Sequence, residues 1–93
     1  MKIEDAVAAV TSEASALTSC LGQPVLAYHV TEIMREADLA HAREMQLALM
    51  RRSIEALVDD GLEGVAAEHF ASQFGGRIGL TWKLLHASDG VAH

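Results

Sequence analysis

Residues 44–61 read EMQLALMRRSIEALVDDG, and the rest of the chain is organised around them. At about 100° per residue, Leu47, Met50, Ile54, Leu57 and Val58 form one broad apolar stripe. Met45, Leu49 and Ala56 fall roughly opposite, with Glu44, Arg51, Arg52, Glu55 and Asp59 on a charged flank between them. A helix apolar on two sides wants contacts on two sides. Once the broad stripe is buried, Met45 and Leu49 remain for a partner. Arg52, Glu55, Asp59 and Asp60 beside them complete the expected partner-binding set.

Upstream, Ile3, Val7, Val10, Ala14, Leu17 and Leu21 alternate spacings of four and three, which predicts one helix over 3–21. Glu4 and Asp5 suit the positive end of its dipole, while Gly22 and Pro24 mark its stop. The stretch Pro24–Val30 admits a helix opened by the proline or a short strand. Thr31 is a candidate N-cap for a helix starting at Glu32. No Gly or Pro interrupts 25–60, yet the face formed by Val30, Ile33, Met34, Ala37 and His41 lies about 110° from the Leu47–Ile54–Leu57 stripe. That change of phase predicts a break or kink between Asp38 and Arg43.

Downstream, Gly61 ends the central helix. Leu62, Val65, Ala66, His69, Phe70 and Phe74 predict another, stopped by Gly75-Gly76. Ile78, Leu80, Trp82 and Leu84 then alternate with polar or small residues, the period of a strand, although 81–86 also fits a helical turn. The expected fold is mainly α, one domain over 1–93. It is a compact bundle of about four helices with a short C-terminal strand or turn and a frayed tail at 88–93. A winged-helix-like α+β arrangement is the alternative.

Composition bounds the function. Sixteen alanines and only four aromatic residues give a thin core of Leu, Val and Met, which favours association. Thirteen acidic residues against seven basic, a formal charge of −6, disfavour nucleic acid and anionic membranes as partners. The single Cys20 allows no internal disulfide, and no signal peptide or membrane-spanning run is evident, so a cytoplasmic protein is expected.

The motifs that could carry chemistry are sparse. Asp38, His41 and Glu44 share one helical stretch, as in part of a di-iron pattern, but the second acid-x-x-His pair is missing. A small helical metal-binding protein is therefore only a further alternative, and no cofactor is expected. The serines Ser12, Ser15, Ser19 and Ser53 lie within helices, and the Gly75–Gly79 segment lacks the Lys-Ser/Thr of a phosphate loop. A winged-helix regulator would place Arg43, Arg51 and Arg52 on its recognition helix, with Arg77 and Lys83 in the wing, but acids interleave with those arginines. The expectation is a non-enzymatic protein-binding module, a small acidic adaptor, regulator or inhibitor. It would occupy a partner surface or a second copy, and a basic nucleic-acid-binding site is one such surface.

Overall fold

A computed structural model of the protein describes residues 1–91 and contains five α-helices and, among those residues, no strand. They are α1 (Ile3–Ser12), α2 (Ser15–Leu21), α3 (Gln23–Arg35), α4 (Leu39–Asp59) and α5 (Gly64–Val91). The fold is a mainly-α bundle. The winged-helix alternative falls, because the hairpin it requires is helical here. Of the tail at 88–93, residues 92 and 93 lie outside the described residues, and α5 runs through Val91.

The bundle measures 48 × 22 × 16 Å. Its long axis follows α5, whose 28 residues span about 42 Å at helical rise. The helix α4 packs along α5, while α1 packs on α3 and α5. Val10, Leu17, Leu26, Val30, Met34 and Ile78 are fully buried where these helices meet. The seam read along 3–21 does face the core. Val10, Ala14 and Leu17 are buried, and Ile3, Val7 and Leu21 pack against them.

That seam is carried by two helices rather than one. The chain leaves helical geometry at Glu13 and Ala14 without a glycine or proline. The hydroxyls of Thr11 and Ser12 donate back to the carbonyls of Val7 and Ala9 at 2.8 and 3.1 Å, an alternative to continuing the backbone ladder. Glu13 is drawn across to Arg77 of α5, 2.6 Å away. Gly22, at φ 89°, then joins α2 to α3 with a backbone conformation that a side chain would strain.

Pro24 sits in the first turn of α3, so 24–30 is helix and not strand. Thr31 lies inside α3, where its hydroxyl donates to the Ala27 carbonyl at 2.7 Å; it caps nothing. A break is present, but at 36–38 rather than within the expected Asp38–Arg43 interval, through which α4 runs unbroken from Leu39. α3 ends at Arg35, and the Asp38 carboxylate accepts from the His41 backbone N–H at 2.9 Å to start α4. Asp38→Ala should cost about 1 kcal/mol and lower Tm by roughly 4–8 °C. An unchanged thermal melt would show that the cap is idle.

The largest departure is at 75–84. Gly75 and Gly76 do not stop a helix; α5 passes through them. A Cβ on Gly75 would collide with the sulfur of Met50, and one on Gly79 would touch Gln46 at 3.5 Å. These glycines mark where α4 comes close to α5. Gln46 also donates its side-chain amide to the Gly75 carbonyl. Gly76 faces open space, so Gly76→Ala should stabilise by about 0.5–1 kcal/mol through helix propensity alone. Urea denaturation reads this directly, and a loss of stability would mean the position is crowded.

Candidate functional site

The concavity that gathers three of the six expected residues lies between α3 and α4. It encloses about 310 Å³ and is lined by His29, Glu32 and Ile33 of α3 with Met45, Ala48, Leu49 and Arg52 of α4. Ile33 and Leu49, 2 % and 4 % exposed, form its floor as part of the core. Met45 is half-buried against that core, and Ala48 is exposed on the wall. Being small, Ala48 leaves the concavity open.

The rim is polar. Arg52, which can only donate, places Nη1 3.0 Å from Nε2 of His29. Among the described residues, the ion pairs join His41 to Glu36 at 3.2 Å and Arg77 to Glu13. Neither Arg52 nor Glu32 takes part in one. Tyr28 stands beside this rim, 62 % exposed, with its ring edge-on to His29 at 5.5 Å.

Of the six residues expected to meet a partner, Met45, Leu49 and Arg52 come together here, while Glu55, Asp59 and Asp60 do not line the concavity. Leu49 is a core residue and not free for a partner, which corrects its expected role. The physical reason is that α4 buries an arc centred on Ala42, Leu49, Ser53 and Leu57. Leu47 and Val58, assigned above to the buried stripe, are instead 52 % and 44 % exposed. Sequence reasoning missed Tyr28 and His29 because 24–30 admits strand or helix, and Glu32 because it was read as the start of a separate helix rather than as part of α3. Once it is helix, Tyr28 falls off the face made by Leu26, Val30, Ile33 and Met34, and that is the signal.

Glu55 and Asp59 are solvated on α4. Asp60, also exposed, acts on the thiol of Cys20. Burial first, and Asp60 second, push that thiol above its ordinary value. A pKa raised by folding stabilises the protein below the ordinary thiol pKa, about 8.5, and the contribution fades as pH rises through the folded value. Alkaline titration of stability should therefore fall more steeply for the natural chain than for Cys20→Ser. Parallel curves would contradict it.

Two of the metal-capable trio, Asp38 and His41, are engaged in structural contacts. Asp38 caps α4, His41 meets Glu36 through Nδ1, and Glu44 is exposed. No group of three His, Cys, Asp or Glu side chains among the described residues is placed to hold a metal. Among the described residues, no helix is long and apolar enough to cross a membrane. A second concavity of about 460 Å³ lies between α1 and α5 beside Phe70, Phe74 and Leu80. Its one cation, Arg77, is already paired with Glu13. Comparison with protein-family models, curated proteins and solved structures returns no match.

Proposed function

We propose that this protein is a non-enzymatic protein-binding module that works through the α3–α4 groove. One observation carries the reading: Met45 and Arg52 line a single apolar-floored concavity, and Tyr28 stands beside its rim with its ring against His29. Aromatic, Met and Arg side chains are the types enriched where proteins meet, since they bring large contact area and directional donors. The exposed Tyr28 ring and the uncommitted donors of Arg52 are the anchors. Ala48 keeps the wall low enough for a side chain to enter.

A photo-crosslinking amino acid at position 48 tests this in the source cell. A discrete covalent adduct is expected, and Tyr28→Ala with Arg52→Ala should abolish it while leaving the circular dichroism spectrum unchanged. Recovery of unadducted chain alone would end the proposal.

A further inference from the structure

Gly75, Gly76 and Gly79 lie in the middle of α5, and α4 accounts for two of them, since Met50 and Gln46 come close to Gly75 and Gly79. Gly76 has no such reason. A Cβ there would meet nothing within 4 Å, and a glycine inside a helix costs stability against alanine. What Gly76 does border is the concavity between α1 and α5. At about 460 Å³ it falls in the range of small-molecule sites, roughly 300–1,000 Å³. The chain has two phenylalanines, Phe70 and Phe74, and both line this one concavity from positions a helical turn apart on α5. Val10 of α1, fully buried, closes it from the other side.

We infer that this concavity binds a small uncharged molecule with a flat aromatic ring system, and that Gly76 is a glycine to keep it open. The two phenyl rings supply the faces and edges against which another ring packs. The missing side chain at Gly76 lets a flat molecule lie close to the α5 backbone. The charge of the ligand follows from Glu13 and Arg77, the charged residues of the lining, which already neutralise each other at 2.6 Å. A charged ligand has to compete with that pair, whereas an uncharged one leaves it intact. Gln73 adds a neutral amide to the wall, a group that both donates and accepts. The inference goes beyond the α3–α4 groove and does not depend on it, for the two concavities share no lining residue.

The probe is 2-naphthalenemethanol, with 2-naphthoate as a charged counterpart on the same ring system. Titrated into the nitrogen-15-labelled chain, the alcohol should shift amide resonances at 10–13 and 70–80 and saturate with a Kd of roughly 0.1 mM. The carboxylate should bind about tenfold more weakly. Gly76→Leu places a side chain in the open space; it should keep the natural circular dichroism spectrum, melt no lower, and lose about tenfold in affinity for the alcohol. No saturable shift up to about 1 mM alcohol overturns the inference, as do saturable shifts confined to other residues. Equal binding of the carboxylate overturns the assigned ligand chemistry. A folded Gly76→Leu protein that binds normally overturns the role of Gly76. Should that variant not fold, Gly76→Ala carries the same comparison, with a loss of about threefold expected and unchanged binding overturning the role.

Discussion

Replacing Leu49 with glutamate is expected to unfold the protein. Leu49 is 4 % exposed and packs in the central cluster, so the change removes a buried leucine and leaves a carboxylate without a partner. Loss of the leucine alone costs about 2–5 kcal/mol, and burying the charge adds several more. A domain of this size holds roughly 5–14 kcal/mol in total. Met45→Glu is expected to be much milder, because Met45 is only half-buried at the groove edge and a charged end there reaches water. Far-ultraviolet circular dichroism of the two variants at 25 °C makes the comparison. A folded Leu49→Glu protein would place that residue on the surface and remove the floor of the groove.

The second large effect is expected at Trp82. Its indole N–H donates to the Glu36 carbonyl at 2.9 Å, and its ring stacks on His86 with centroids 4.0 Å apart. His86 in turn bonds the Met34 carbonyl at 3.1 Å through Nε2. Met34 is in the last turn of α3, where backbone carbonyls have no partner within the helix. The two α5 side chains therefore act as a cap supplied from another helix. Trp82→Ala should cost about 3–5 kcal/mol, because it removes packing and leaves the Glu36 carbonyl without its donor. Trp82→Phe keeps most of the packing and loses the hydrogen bond, for about 1 kcal/mol. Urea unfolding distinguishes them. Equal losses for the two variants would mean that packing contributes little and the bond most of the effect.

Much of this fold is legible in the sequence where the signal is local. Gly22 with Pro24, Asp38 and Gly61 each act at a boundary through their own backbone or side chain, and each boundary falls there. The misreadings have more than one cause, and contact with a distant helix is one of them. Gly75 and Gly79 look like turn residues until α4 is placed against them. The alternation of Ile78, Leu80, Trp82 and Leu84 looks like a strand because Leu80 and Leu84 are apolar yet more than half exposed, at 61 % and 52 %. Only Ile78, Thr81, Trp82 and Leu85 turn inward, at helical spacing.

The candidate site was half legible for a related reason. On α4 the centre of the buried face is occupied by Ala42 and Ser53 as well as Leu49 and Leu57. Small residues permit a short distance between helix axes, so they take the closest contact while bulkier residues flank it. A search for the largest apolar residues therefore finds the two shoulders, Leu47 and Val58 on one side and Met45 on the other, and mistakes them for two faces. Arg52 is legible as a solvent-facing arginine of α4, but its neighbours on α3 become visible only once Tyr28 and His29 are known to be helical.

The cap that α5 places on α3 has a consequence for how the chain reaches this state. Its donors lie 46 and 52 residues beyond the carbonyls they satisfy. During synthesis from the N-terminus, α1 to α4 are made before Trp82 and His86 exist. Until then the corner between α3 and α4 is held by Asp38 and by the exposed contact of His41 with Glu36. The nascent chain should therefore keep an open hinge at 36–38, with Met34 protected only after α5 docks. Such long loops slow the search for the final arrangement and make its last step the one that fastens everything before it. The groove, whose walls meet at that hinge, acquires its shape only when the far end of the chain arrives.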